Sequence, residues 1–342
     1  MSEVIIGTKG RAGRITLNRP KALNAITYGM VKDIHAALLQ WQDDASVELI
    51  IIDANGEKAF SAGGDIADLY DSGKRGDLAF GHQFWRDEYR MNFALQDYKK
   101  PIVSFLQGFT MGGGMGVGCH VSHRVVGDSS QIAMPECGIG LVPDVGGSLI
   151  LANAPNALGS YFGTTGTRMK AADAILTGFA DVYITEALWP DLIAQLEDGA
   201  SLDTLKAAST LPPEGLSSDQ IAEINQAFST DSLNALITNL EASDSEFAAA
   251  TLKALRRNSP LAMAVTLRMM TALSGVTDLR EALKLEYRFT ARAMEHGDFL
   301  EGIRAAIIDK DRTPKWKHQL DALPEADISA MMAPLGALEL TF

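Results

Sequence analysis

Three consecutive glycines, Gly112-Gly113-Gly114, follow a short apolar segment, and this arrangement constrains the fold more than any other feature. Residues 101–106 just before them read PIVSFL, a β-branched run typical of a strand that is covered on both faces. Glycine leaves room for a ligand beside the backbone, and the first N–H groups of a following helix have no partner within the helix. The sequence therefore predicts a strand, a glycine-rich turn and a helix, with the turn as a candidate binding loop.

The first half of the chain repeats this plan and predicts an α/β fold. Residues 13–18 and 47–53 read as further strands. Asn24 is the predicted N-cap of the helix between them, because apolar residues follow it at helical spacing. A second glycine loop, residues 62–65 (AGGD), comes after the second of these strands and the segment KAFS. Alternating strands and helices are the signature of an α/β fold.

The pattern changes near residue 185, after which helical periodicity replaces strand signals. The predicted helices cover residues 186–198, 217–228, 232–241, 246–257 and 279–296. No linker of low complexity separates the two parts. We therefore predict an α/β core at residues 1–185 and a helical C-terminal region at residues 186–342 that packs on the core.

Composition narrows the class of function. The 342 residues carry a formal net charge of −13, which argues against a nucleic-acid-binding protein because such a protein needs a basic face. No apolar stretch reaches about 18 residues, and the N-terminus lacks a signal-peptide pattern, so we expect no contact with a membrane. The two cysteines, Cys119 and Cys137, imply no disulfide framework and make the cytoplasm the expected compartment.

The two glycine loops admit more than one use. Neither has the G-x-G-x-x-G spacing of a dinucleotide fold, and Gly73-Lys74-Arg75 does not form a P-loop. An oxyanion hole remains, in which two N–H groups face one developing negative charge. The alternative is that the glycines only allow close packing of a helix on a strand, and the pattern by itself leaves both open.

A third segment, residues 134–147, carries Glu136 and Asp144 eight residues apart among glycines and prolines. An acid in apolar surroundings costs free energy unless it is used or paired. Loop acids that face water are the alternative. Because both acids stand beside residues that fix the backbone, we favour a functional role.

Metal and thiol chemistry have weaker support. His120 and His123 form H-x-x-H, but no third candidate ligand lies at a sequence spacing typical of metal sites, so we expect no metal site. Cys119 and Cys137 have no obvious basic partner in the sequence, and we expect them to be small buried residues. The G-x-S-x-G motif of α/β-hydrolases is absent from the sequence.

Together the three segments resemble the crotonase (enoyl-CoA hydratase/isomerase) superfamily. KAFSAGGDI resembles its first oxyanion loop, GFTMGGGMGVG its second, and MPECGIGLVPDVGG its catalytic segment. LNRPKALNA is similar to the stretch that helps to bind the adenine end of coenzyme A. The resemblance covers nearly the whole chain and is weakest over residues 185–250. It implies a spiral core of repeated ββα units followed by a helical C-terminal region.

The resemblance also assigns roles to residues. The backbone N–H groups of Gly64 and Gly113 correspond to the oxyanion donors, and Glu136 corresponds to one of two hydratase glutamates. The second hydratase glutamate falls at Gly116, while Asp144 stands where hydratases usually have glycine. This exchange resembles the 3-hydroxyisobutyryl-CoA hydrolase branch, as do GLVPDVGG and the helical tail. In that branch RDEYRMN supplies a substrate-contacting glutamate, here Glu88.

Four further positions are expected to bind substrate by the same match: Lys21, Ala62, Asp65 and Ile66. For Lys21, a phosphate contact and a solvated surface lysine remain equal alternatives.

The expected activity is hydrolysis of a short hydroxyacyl-CoA, above all 3-hydroxyisobutyryl-CoA, as in valine degradation. No separate cofactor is needed, since coenzyme A arrives with the substrate. An enoyl-CoA hydratase, isomerase or decarboxylase and a non-catalytic CoA-binding protein are the alternatives. Because the superfamily often forms trimers and dimers of trimers, a homo-oligomer is an open expectation.

Overall fold

The computed structural model describes residues 2–342. Its strands are β1 (Val4–Lys9), β2 (Ala12–Leu17), β3 (Leu49–Ala54), β4 (Ala59–Ser61), β5 (Ile102–Leu106), β6 (Phe109–Met111), β7 (His123–Val126), β8 (Gln131–Ala133) and β9 (Val182–Tyr183). The predicted strands at 13–18, 47–53 and 101–106 correspond to β2, β3 and β5 and are confirmed within two residues at each end.

The helices alternate with the strands at first and then follow one another. They are α1 (Tyr28–Gln42), α2 (Ala67–Lys74), α3 (Leu78–Gln96), α4 (Gly113–Gly118), α5 (Gly147–Ala152), α6 (Leu158–Thr165), α7 (Ala171–Leu176), α8 (Trp189–Glu197), α9 (Asp203–Ala208), α10 (Ser218–Phe228), α11 (Leu233–Glu241), α12 (Glu246–Leu255), α13 (Pro260–Leu273), α14 (Leu279–Ala293), α15 (Phe299–Ile303) and α16 (Glu325–Met332). Short 3₁₀ turns lie at Pro20–Ala22, Glu136–Ile139, Glu186–Leu188 and Gly336–Leu338, and a π-helical turn lies at Arg304–Ile308.

The strands form two sheets. The larger sheet has the order β1-β2-β3-β5-β7-β9, and its strands are parallel except for the antiparallel β1–β2 pair. In its parallel part Ile50 pairs with Ile102, and Val103 pairs with His123. The smaller sheet, β4-β6-β8, is fully parallel.

Each repeat of the core gives one strand to each sheet, which confirms the crotonase-like α/β fold. The strand pairs are β3 and β4, β5 and β6, and β7 and β8. The chain leaves β4 into the loop at residues 62–65, β6 into the triple glycine, and β8 into residues 134–136. The three predicted functional segments therefore occupy the same position in successive repeats.

Apolar side chains of the larger sheet pack against α8, which explains the unbroken apolar strands. Ile51, Val103 and Phe105 are completely buried, and they lie in one cluster with Trp189 and Leu196 of α8. The rings of Phe105 and Trp189 are 5.3 Å apart between centroids.

The predicted N-cap at Asn24 is wrong. Helix α1 begins at Tyr28, and its cap is Thr27, whose hydroxyl accepts a hydrogen bond from the Met30 N–H. Asn24 is buried, adopts a φ of 54°, and donates from its amide to the Ala59 carbonyl at 2.9 Å. Its polar side chain therefore binds the start of β4 and does not cap α1, whose cap is the later Thr27.

The described residues form two compact units that interleave along the chain. The first unit contains both sheets and takes in residues up to 65 together with 87–133 and 168–215. The second, mainly helical unit takes in residues 66–86, 134–167 and 216–342. These units do not follow the division at residue 185 that the sequence predicted, although the described chain has no strand after β9. None of the helices within residues 2–342 is both long and apolar enough to cross a bilayer.

Candidate active site

The first glycine loop is held by backbone hydrogen bonds while one of its N–H groups stays free. Ile26 N donates to the Gly63 carbonyl, and Asp65 N donates to the Ile26 carbonyl, each at 2.8 Å. The Gly64 N–H lies between these bonds and has no acceptor within residues 2–342. The loop is therefore fixed in position with one donor unused.

The second glycine loop brings Gly113 close to Gly64. Gly112 adopts φ 44° and ψ −122°, a conformation that residues with a side chain rarely adopt. Helix α4 begins directly after it, and the Gly113 N–H has no acceptor in the described chain. A Cβ atom on Gly113 would lie 3.2 Å from the Gly64 nitrogen and 3.0 Å from Glu88 Oε1. The Gly113 backbone, the Gly64 nitrogen and the Glu88 carboxylate therefore lie close together in the first unit.

Helix α3 adds Asn92, a residue that sequence reasoning missed. Asn92 is completely buried and lies one helical turn after the predicted Glu88, which is only 3% exposed. Neither polar atom of the Asn92 amide forms a hydrogen bond with residues 2–342. A buried polar group without a partner costs about 1–3 kcal/mol and is typical of a site for water or ligand. The four-residue spacing from Glu88 was the signal that could have identified it.

The remaining predicted binding residues lie around the first loop. Ala62 N donates to the Leu23 carbonyl at 2.9 Å, and the Asp65 carboxylate pairs with Arg19 at 2.9 Å. Lys21 lies in the 3₁₀ turn Pro20–Ala22 and is exposed. Ile66 directly precedes α2 and is half-buried.

Glu136 begins a 3₁₀ turn in the second unit and is only 5% exposed. Its Oε2 atom is buried without a hydrogen-bond partner among the described residues. Burial raises the pKa of Glu136 well above its usual value, and the negative charge of Asp144 raises it further. The structure therefore places the predicted chemical group where its proton affinity is high.

Asp144 and Glu286 complete a cluster of three buried acids in the second unit. Asp144 is 5% exposed and Glu286 is completely buried. The Glu286 carboxyl accepts hydrogen bonds from Gly146 N at 2.9 Å and from the N–H and hydroxyl of Ser148. Burial, followed by the charge of Asp144, raises the pKa of Glu286 to about 8. Sequence reasoning missed Glu286 because 140 residues separate it from Gly146.

Cys119, Cys137, His120 and His123 were the other candidate groups in the sequence. Burial raises the pKa of Cys119 to about 12 and that of Cys137 to about 12, so both stay protonated at neutral pH. His123 lies beside the Ser122 hydroxyl at 2.9 Å, and His120 is 8% exposed. Within residues 2–342 no three His, Cys, Asp or Glu side chains group as metal ligands.

Comparison with known proteins identifies the family. Residues 12–332 match the enoyl-CoA hydratase/isomerase family. The chain belongs to this family. Gly116, where the resemblance places the second hydratase glutamate, is buried in α4 and has no side chain to carry an acid.

Similar proteins from this family carry different names. Rat mitochondrial 3-hydroxyisobutyryl-CoA hydrolase is 38% identical over 100% of this chain and 91% of its own length. A solved structure named an enoyl-CoA hydratase from Rhodobacter sphaeroides is 54% identical, with a TM-score of 0.95 and complete coverage of both chains. One named a carnitinyl-CoA dehydratase from Mycobacterium thermoresistibile is 37% identical, with a TM-score of 0.95 over 100% of this chain and 99% of its own.

Proposed function

We propose that this chain hydrolyses 3-hydroxyisobutyryl-CoA to 3-hydroxyisobutyrate and free coenzyme A. The observation that carries the proposal is the cluster of Glu136 and Asp144 in a chain that has glycine at position 116. By resemblance, hydratases place their second glutamate at that glycine and have glycine in place of Asp144. The similarity to the rat hydrolase over the full chain supports the same reaction.

The two free N–H groups would stabilise the tetrahedral intermediate. Attack on the thioester moves negative charge onto the carbonyl oxygen, and the N–H groups of Gly64 and Gly113 would donate to it. One such donor contributes about 3–4 kcal/mol to a transition state. Their approach within the first unit supports this role, because a single oxygen needs both donors near one point.

Glu136 would start the reaction in one of two ways. As a general base it takes a proton from water, and the resulting hydroxide attacks the thioester carbon. As a nucleophile its carboxylate attacks directly and gives an anhydride that water then hydrolyses. In both routes the C–S bond breaks as the oxyanion collapses, and the thiolate of coenzyme A leaves and takes up a proton. Asp144 would orient the water or the substrate, or supply this proton.

The acyl hydroxyl would be recognised on α3. A hydroxyl has one hydrogen to donate and lone pairs that accept. A Glu88 carboxylate would accept that hydrogen, and the unpaired Asn92 amide would donate to the oxygen. Isobutyryl-CoA, which lacks the hydroxyl, would leave the buried Asn92 amide without this partner.

Coenzyme A would enter as part of the substrate, so the reaction needs no further cofactor. Lys21, which is exposed, would meet a phosphate, and Ala62, Asp65 and Ile66 would line the path of the pantetheine chain. This reaction belongs to valine degradation. The relatives' names assign those proteins to mitochondria, and the cytoplasm remains a prediction for this chain, as does a homo-oligomer.

Enoyl-CoA hydration is the second candidate, because the 54% identical solved structure carries that name. Two assays separate the reactions. Release of free thiol from 3-hydroxyisobutyryl-CoA reports hydrolysis, and loss of the conjugated enoyl absorbance of crotonyl-CoA reports hydration. The proposal expects the first and little of the second.

A further inference from the structure

The backbone that follows Asp144 is strained. Val145 adopts a φ of 50°, and Gly146 follows with a φ of 80°. A β-branched residue at positive φ is a clear outlier, and such residues cost about 1–3 kcal/mol. Surrounding contacts must therefore hold this turn in place, and the turn sets the direction of the Asp144 side chain just before it.

Glu286 supplies those contacts from α14. Its Oε2 atom accepts from Gly146 N at 2.9 Å, while its Oε1 atom accepts from Ser148 N at 3.2 Å and from the Ser148 hydroxyl. Both oxygens therefore bind residues that follow Val145, namely Gly146 and Ser148. The carboxyl is completely buried, so water does not compete for these bonds.

We propose that Glu286 is a positioning residue for thioester hydrolysis, which holds the strained Val145-Gly146 turn and thereby fixes the direction of the Asp144 carboxyl. The proposal rests on the proposed function, in which Asp144 acts at the reacting centre. Glu286 contacts the loop and not the substrate. Burial, followed by the negative charge of Asp144, raises the pKa of Glu286, which agrees with a position close to Asp144.

Glu286→Gln tests the proposal with little change of shape. Gln keeps one oxygen for Ser148 but turns an NH₂ group toward the Gly146 N–H, so two donors face each other. A misplacement of about 1 Å can cost about 100-fold in rate, and we therefore expect kcat to fall roughly 10- to 100-fold. KM should change by less than about threefold, because the variant alters a reacting group's position and not CoA binding.

Glu197→Gln is the matched control. Glu197 is also a buried glutamate that joins distant parts of the chain, and it pairs with Arg14 and with Lys9 in the first unit. This variant should lower the melting temperature while keeping kcat within about threefold of the unchanged protein. If Glu286→Gln keeps the unchanged protein's kcat, Glu286 serves stability alone and the proposal is wrong.

Hydrogen exchange separates this proposal from the proposed function. The Gly146 and Ser148 amides should exchange faster in Glu286→Gln than in Glu197→Gln, whatever substrate the protein accepts. Unchanged exchange at these amides would overturn the anchoring role. Absence of thiol release by the unchanged protein would instead overturn the proposed function and leave the exchange result standing. Should Glu286→Gln fail to fold, Ser148→Ala removes only the hydroxyl donor, and it should show a smaller loss of kcat and faster exchange at Gly146.

Discussion

The backbone of Gly113 lies so close to Gly64 that a methyl group on Gly113 would come within 3.2 Å of the Gly64 nitrogen. The same methyl group would lie 3.0 Å from Glu88 Oε1. Both distances are shorter than an ordinary van der Waals contact. The space between these residues therefore has no room for a side chain.

Gly113→Ala should reduce kcat at least about tenfold, because the added methyl group displaces one of the two proposed oxyanion donors. Gly113→Pro should be more severe, since proline removes the N–H itself. Gly29→Ala is the control, because a Cβ there meets nothing closer than 3.6 Å. Thermal melting must accompany the rates. A folded Gly113→Pro protein with normal thiol release would show that the oxyanion is held elsewhere.

Glu136→Gln should abolish thiol release, with kcat at least about 100-fold lower, while binding of acyl-CoA esters is retained. Glutamine keeps the shape of the side chain but neither accepts a proton nor attacks as a carboxylate. Equilibrium binding of a CoA ester checks that the site still forms. Thiol release within about tenfold of the unchanged protein would remove Glu136 from the mechanism.

The acidic limb of the pH–rate profile should lie at a pH well above the usual pKa of a glutamate side chain. Glu136 acts only when deprotonated, and its pKa is raised by burial and by Asp144, so activity is lost as pH falls through that raised pKa. Asp144→Asn removes one negative charge, which lowers the pKa of Glu136 and should move the limb to lower pH. The prediction concerns the pH at which activity is lost and not the maximal rate. If Asp144→Asn loses activity at the same pH as the unchanged protein or at a higher pH, the charge of Asp144 does not raise the pKa of Glu136.

Glu286 should also make stability depend on pH. Its folded pKa of about 8 lies above the usual value of 4.5, so folding favours its protonated form. That contribution is fully present below about pH 4.5 and is lost as pH rises toward 8. The melting temperature should therefore fall between pH 5 and 8 by several degrees more in the unchanged protein than in Glu286→Gln. Parallel curves for the two proteins would contradict the raised pKa.

Asn92→Leu should reduce discrimination between substrates. The ratio of kcat/KM for 3-hydroxyisobutyryl-CoA to that for isobutyryl-CoA should fall at least about tenfold, since leucine cannot donate to the acyl hydroxyl. Isobutyryl-CoA provides the internal control, because it lacks that group. An unchanged ratio, whatever the absolute rates, would mean that the Asn92 amide binds only a structural water.

The sequence predicted the parts of the fold that depend on local pattern. Apolar runs identified β3 and β5, and helical periodicity located α10 to α12 and α14 closely, because both signals arise from neighbours in the chain. The three-residue strands β4, β6 and β8 were not predicted, since so short a segment has no period of its own. Each of these strands nevertheless comes directly before one of the three functional segments in the chain.

The site residues that the sequence predicted are likewise those that lie in local sequence patterns. Gly64, Gly113, Glu136 and Asp144 stand in glycine-rich motifs that can be read directly from the chain. Glu286 lies in an ordinary amphipathic helix, and only the fold brings it to Ser148. Asn92 was missed because its four-residue spacing from Glu88 gains meaning only once both side chains are known to be buried.

Two reactions of the purified protein decide between hydrolysis and hydration. One sample receives 3-hydroxyisobutyryl-CoA with a thiol reagent, and a second receives crotonyl-CoA while the enoyl absorbance is followed. With Glu136 as the available acid and glycine at position 116, we predict rapid release of coenzyme A in the first and little loss of absorbance in the second. Rapid loss of absorbance without thiol release would rule out hydrolysis and identify a hydratase.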